Sequence, residues 1–148
     1  MGMIDDLGDG PVAIDTAVFI YFLEEHPRFL PLVEPLFREI DEGRRKGFTS
    51  SLTLLEVLVV PYRAGDLGLV RRYEALLTGN RGIHMVEIDR GHLHAAALLR
   101  ARYRLRTPDA IQIAAALVGG CKAFVTNDRD FPDIPGLRIL QLSDYLRK

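Results

Sequence analysis

The stretch Pro11-Val12-Ala13-Ile14-Asp15-Thr16 decides the architecture of the chain. Four residues, Pro11 to Ile14, form an apolar run too short for a helix. They stop at an acid, and Thr16 to Glu25 then places Phe19, Phe22 and Leu23 at helical spacing. A buried strand running directly into a helix is the opening half of a parallel β/α unit. The same alternation continues outward. Leu32, Leu36, Phe37 and Ile40 mark a second helix that ends in the Gly43-Arg44-Arg45-Lys46-Gly47 stretch, and Phe48 to Ser50 a second strand. Leu52 to Tyr62 reads as a strongly apolar helix, Leu67 to Leu77 as an amphipathic one, and Ile83 to Ile88 as a third strand. Leu93 to Leu105 and then Thr107 to Val118 read as helices, Ala123 to Thr126 as a fourth strand and Leu137 to Leu142 as a fifth. Helices between the first four strands imply right-handed crossovers. The fold class is α/β: a central, mostly parallel sheet of four to five strands with helices on both faces.

Composition supports one such domain. The chain has 148 residues, 48% of them hydrophobic and 26% charged, with a net charge of −1. This size buries a core without disulfide or metal staples. One cysteine, Cys121, excludes an internal disulfide and fits a reducing, cytoplasmic setting. The longest uninterrupted apolar run, Ala17 to Leu23, is far below the ~18 residues of a membrane helix. Residues 1–10 carry Asp5, Asp6 and Asp9 and no basic side chain, which reads as a flexible acidic tail ahead of a domain over residues 11–148. Near-neutral charge argues against a protein coated on nucleic acid but permits a local basic face.

Four acids then stand out. In open α/β sheets, ligands gather beyond the carboxyl ends of the strands. Asp15 follows the first strand and Asp128 the fourth, so both reach the same rim. Asp109 opens the helix leading into the fourth strand, behind Thr107 as N-cap and Pro108 at the first helical position. Taken singly, each has an ordinary explanation as a helix cap, a dipole partner or a turn residue. Glu56 resists one. Its helix is apolar nearly all round, which predicts burial, and no Lys or Arg lies between Gly47 and Pro61. A buried glutamate needs a partner, and here it must come from elsewhere in the fold or from a metal ion. Four carboxylates within about 5–6 Å would repel by ~3 kcal/mol per pair at an effective dielectric near 20, or roughly 18 kcal/mol over six pairs. That exceeds a typical domain stability of ~5–15 kcal/mol, so such a cluster must take up protons or a cation. Hard oxygen donors suit Mg2+ or Mn2+ better than zinc.

These segments resemble the PIN-domain ribonucleases, and within them the VapC-like toxins of bacterial and archaeal toxin–antitoxin pairs. The resemblance spans Val12 to about Leu142. It rests on Val12-Ala13-Ile14-Asp15-Thr16, Ser51-Leu52-Thr53-Leu54-Leu55-Glu56-Val57, Thr107-Pro108-Asp109-Ala110-Ile111-Gln112-Ile113-Ala114 and Thr126-Asn127-Asp128-Arg129-Asp130-Phe131, in that order. It implies a single PIN-like domain that hydrolyses RNA phosphodiesters with Mg2+ or Mn2+. Asp15, Glu56, Asp109 and Asp128 are then the catalytic, metal-holding acids. Asp130 is a neighbouring candidate that binds through water or caps a turn, and Thr16 and Thr126 are candidates for hydrogen bonds that hold the acids. Ala17 departs from the small polar residue common at its position, removing one possible supporting hydrogen bond. The resemblance also implies a cognate antitoxin protein and a homodimer.

Of 19 basic residues three are lysines, so arginine dominates, a choice that favours bidentate contact to phosphate or carboxylate. On a continuous helix Arg100, Arg102, Arg104 and Arg106 split into the pairs 100/104 and 102/106, of which one could face RNA. The four histidines lack ligand spacing and read as structural or surface residues. Val59, Val60, Tyr62, Leu69 and Tyr73 read as core or in part as a dimer surface. Three other classes compete: a PIN-fold binding module that does not cut, a stand-alone housekeeping ribonuclease, and a receiver-type phosphoacceptor. The last wants paired acids after the first strand and a lysine after a late one, and no lysine lies between Lys122 and Lys148.

Overall fold

A computed structural model describes residues 2–146. Its elements follow the chain as α1 (Met3–Leu7), β1 (Val12–Ile14), α2 (Thr16–Leu23), α3 (Leu30–Asp41), β2 (Gly47–Ser50), α4 (Leu52–Arg63) and α5 (Leu67–Thr78). After these come β3 (Ile83–Val86), α6 (Arg90–Arg102), α7 (Thr107–Val118), β4 (Ala123–Thr126), β5 (Arg138–Gln141) and a closing 3-10 turn, Leu142–Tyr145. The five strands form one sheet in the order β3-β2-β1-β4-β5, and every neighbouring pair is parallel. From β1 the chain builds outward through β2 to β3, then crosses back to β4 on the other side. The reversal of winding therefore falls between β1 and β4, where the carboxyl ends of two adjacent strands open a crevice.

Period-two alternation splits the core. Val12 and Ile14 of β1 and Ala123 and Val125 of β4 join the cluster containing Phe19, Leu36, Phe37 and Tyr73. Ala13 and Phe124 point to the opposite cluster, built on Ala96, Leu99, Ala110, Ile113 and Ala114 of α6 and α7. The two central strands are thus buried on both faces, which is why they read as unbroken apolar runs. Helix α7 ends in a left-handed Gly120 at φ +67°, with Gly120 N–H donating to Leu117 O and Cys121 N–H to Ala116 O, a Schellman closure that feeds the chain directly into β4.

Four readings of the sequence need correction. Residues 3–7 form a helix rather than a loose tail: Met3 and Leu7 are buried in the core, Asp5 stays exposed, and half-buried Asp6 accepts from the Tyr145 hydroxyl, so two apolar anchors outweigh local charge. Helix α4 is not buried all round. Only Thr53, Val57 and Pro61 are inside, whereas Leu55 is 61% and Val60 66% exposed, and Val59 and Tyr62 are exposed as well. The helix lies at the side of the sheet against α5 and α2, so one narrow stripe suffices for packing. Helix α6 stops at Arg102, and Tyr103 is extended. Arg104 and Arg106 therefore lie in the connector and neither helical arginine pair forms. Finally, Arg106 is the N-cap of α7, with Thr107 and Pro108 as its first two residues, one position earlier than the sequence suggested. No helix among the described residues is long and apolar enough to cross a membrane.

Candidate active site

Asp15 leaves β1 at its carboxyl end, where its N–H still donates to Val125 O of β4, and it becomes the N-cap of α2. Both of its oxygens are held: Oδ1 accepts from Thr16 N–H at 2.9 Å and Oδ2 from the Thr126 hydroxyl at 2.6 Å. The cap and the crevice position are the same placement. Burial pushes the Asp15 carboxyl above its usual range. The bonds from Thr126 and Thr16 oppose that rise, and the charges of Asp109 and Glu56 add to it.

Glu56, one turn into α4, meets the Thr16 hydroxyl, which donates to its Oε1 at 2.7 Å. A partner from elsewhere in the fold is thus present, a hydroxyl from α2. Behind it runs a buried polar network. Thr53 Oγ1 lies 3.1 Å from Thr16 Oγ1 and 2.7 Å from Thr49 Oγ1. Gln112 Nε2 donates to Thr53 Oγ1 at 2.7 Å, and its Oε1 accepts from Ser50 N–H at 3.2 Å. Gln112, almost wholly buried in α7, thus ties α4, β2 and α7 together below the acids. Sequence reading quoted this glutamine without assigning it a role. Its signal is a lone amide within the buried run Ala110 to Ala116, since a polar group placed there requires partners.

Asp109 stands in the first turn of α7, its side chain 13% exposed, and Asp128 follows β4, its side chain 31% exposed. Both are engaged by Arg106, whose Nε donates to Asp109 Oδ2 and whose Nη2 donates to Asp128 Oδ2, each at 3.1 Å. Burial raises the Asp109 carboxyl, Arg106 pulls it back, and Asp128 and Asp130 push it up again. Asp128 also shapes its own turn, accepting from Asp130 N–H at 2.9 Å, while its N–H donates to Thr126 Oγ1.

Asp15, Thr16, Glu56, Asp109 and Asp128 line one cleft of about 330 Å³ together with Ala17, Ile20, Arg106, Pro108 and Gln112. Asp130 does not line it and is exposed. The donor set is entirely hard oxygen, the chemistry of Mg2+ and Mn2+. As the side chains stand, no three His, Cys, Asp or Glu among the described residues are grouped closely enough to hold a metal ion. The chain's own guanidinium engages two of the acids, and hydroxyl and backbone N–H donors engage the other two.

Other polar residues serve the scaffold. His92 Nε2 is 2.9 Å from Ile111 O, His84 stacks on Phe48, and His26 Nδ1 accepts from the N–H groups of Arg28 and Phe29. Burial pushes the Cys121 thiol up to about 12, which leaves it protonated and unreactive at neutral pH.

An α/β domain with a carboxylate-lined cleft at its winding reversal defines a class, and sequence comparison defines the family. The PIN domain model matches residues 12–137, and the chain belongs to the PIN-domain family. No curated protein is significantly similar to it. Among solved structures it is similar to VapBC2 from Rickettsia felis bound to a promoter DNA fragment, with 15% identity, a TM-score of 0.68, and 88% of this chain and 98% of that chain covered. A toxin–antitoxin complex from Klebsiella pneumoniae gives 21%, 0.64, 88% and 97%. VapC20 of Mycobacterium tuberculosis, a toxin that cleaves the sarcin–ricin loop, gives 14%, 0.65, 80% and 91%. At these identities the likeness is one of fold.

Proposed function

We propose that this protein is a divalent-metal-dependent endoribonuclease that hydrolyses RNA phosphodiester bonds, and the toxin of a toxin–antitoxin pair acting in the cytoplasm. The observation that carries the nuclease reading is the meeting of Asp15, Glu56, Asp109 and Asp128, from four separate segments, in one cleft at the carboxyl ends of β1 and β4. Asp15, Glu56, Asp109 and Asp128 would hold Mg2+ or Mn2+, directly or through water. When bound, the ion supplies positive charge toward the phosphate and lowers the pKa of water.

The chain's own part is preparation of the acids. Thr126 and the Thr16 N–H hold both oxygens of Asp15, and the Thr16 hydroxyl holds one oxygen of Glu56, so these acids are oriented before any ligand arrives. Those bonds also favour the charged form of Asp15 against its burial. Ala17, Ile20 and Pro108 are the apolar part of a lining otherwise made of the four carboxylates, Thr16, Arg106 and Gln112.

The toxin role is supported by the similar solved structures, which include toxin–antitoxin assemblies and a sarcin–ricin loop cleaving toxin. The exposed Leu55, Val59, Val60 and Tyr62 of α4 form an apolar face suited to a second copy of the chain or to an antitoxin segment. The test incubates purified protein with a panel of structured RNAs, with Mg2+, with Mn2+ and with chelator, beside Asp15→Asn. Cleavage should require the ion and disappear in the variant. Cutting that survives both chelation and the substitution rejects the mechanism, and a broad panel left intact favours a binding module instead.

A further inference from the structure

Among the described residues, Arg106 is the single basic side chain lining the carboxylate cleft. It bridges two acids that are far apart in sequence, one guanidinium nitrogen donating to Asp109 and another to Asp128. The third nitrogen, Nη1, has no acceptor among the described residues, and the side chain is 68% exposed at the mouth of the cleft. We propose that Arg106 is the cleft's own counter-ion: it competes with a divalent cation for Asp109 and Asp128, and when displaced it binds a phosphate oxygen of the RNA backbone. The inference rests on the metal-dependent nuclease reading and adds a residue to it.

Two physical arguments lead there. The carboxylate oxygens that Arg106 occupies, Asp109 Oδ2 and Asp128 Oδ2, belong to half of the donor set a divalent ion would use, and like charges exclude one another from the same pair of acids. Ion pairs this exposed are weak, because solvent screens them and two long side chains must be held in place, so the bridge yields to a better cation. The released guanidinium then stands at the entrance, anchored through its backbone at the N-cap of α7, where an approaching phosphodiester has a planar two-armed donor to meet. Arg100, by contrast, is tied to Leu105 O and Thr107 Oγ1 and serves to brace the connector that presents Arg106.

The test compares wild type with Arg106→Gln and, as a control, Arg102→Gln, an exposed arginine outside the cleft. Mn2+ binding to the full-length protein is measured by titration with detection of free Mn2+, without RNA. RNA cleavage is then followed in single turnover at saturating Mn2+ over a range of protein concentrations. Arg106→Gln should bind Mn2+ several-fold more tightly than wild type, and the protein concentration that half-saturates RNA cleavage should rise about tenfold, the scale of a lost charge-assisted contact. Arg102→Gln should leave Mn2+ affinity where it was. Equal Mn2+ affinity in wild type and Arg106→Gln, or an equal gain in the control, overturns the counter-ion role. An unchanged half-saturating protein concentration overturns the phosphate contact. Wild-type protein that takes up no Mn2+ would sink the nuclease reading itself, and that failure is recognisable before any variant is compared.

Discussion

The cleft has two halves built by different means. Asp15 and Glu56, on the inner side, are held by threonine hydroxyls and a backbone N–H, with Gln112 and Thr53 packed behind them. Asp109 and Asp128, on the outer side, are held chiefly by one exposed arginine. The inner acids are fixed by neutral donors on buried elements, which cannot leave. The outer acids are held by an exposed charge, which can. A site that must be both preformed and open to an incoming cation needs each kind of support, and here the two are divided between the strand ends and the rim.

The largest effect expected from this division is at Asp15. Asp15→Asn should reduce cleavage by more than about 100-fold at saturating Mg2+, since it removes an acid already fixed in place rather than one awaiting rearrangement. Single-turnover rates check this, and a loss of only a few-fold would mean that the inner half is not the working half. Thr126→Val, which strips the hydroxyl from Asp15 Oδ2 and leaves the acid itself, should cost about 10–100-fold by the same assay. Rates equal to wild type would erase the distinction between the halves.

Below the inner acids, Gln112→Leu should lower stability by about 1–3 kcal/mol in denaturant titration, because the Ser50 N–H and the Thr53 hydroxyl lose buried partners. A neutral outcome would make the network incidental. The inner half should also carry a pH signature. The folded Asp15 carboxyl titrates above its unfolded value of 3.8, so the folded state holds its proton longer. Below that value both states are protonated and nothing is lost. As pH rises through the window from 3.8 to the folded value, the unfolded state ionises first and stability falls, and above it the loss is complete. Metal-free Asp15→Asn should therefore melt above wild type at neutral pH and converge with it in acid. Thermal melts in chelator across that range test it, and a variant that melts lower at neutral pH contradicts the burial argument. The smallest effect belongs to Asp130, which contributes a backbone N–H to Asp128 but no side chain to the cleft. Asp130→Asn should change cleavage by less than about threefold, well inside the range that separates ligand support from bystanders.

Legibility in the sequence tracked how local the deciding physics was. The central strands β1 and β4 were readable because they are short apolar runs, the mark of strands buried on both faces. Helix α4 misled for the converse reason. Leu55, Val57, Val59 and Val60 look alike as a string, and only packing against α5 and α2 separates Val57, buried, from Val60, exposed. The N-terminal segment was hidden by its charge, although Met3 and Leu7 stand one helical turn apart and dock together. At the cleft, acids at strand ends stood out because a carboxylate beside an apolar run is anomalous. Arg106 stood out only as one of four arginines that could face RNA, and its separate place at the N-cap of α7 is visible only once α6 is seen to end before it.

What the sequence by itself determined was the alternation of strands and helices, and with it the delivery of Asp15 and Asp128 to one rim. Those follow from side-chain period and from the parallel pairing that crossover helices enforce. What only the tertiary structure decided was the partner of each acid: Thr126 for Asp15, Thr16 for Glu56, and one arginine for both Asp109 and Asp128. Hydrogen bonds and ion pairs form between atoms a few ångströms apart in space. Residues 15 and 126 are brought that close by the order of strands in the sheet, which no local pattern in the chain records.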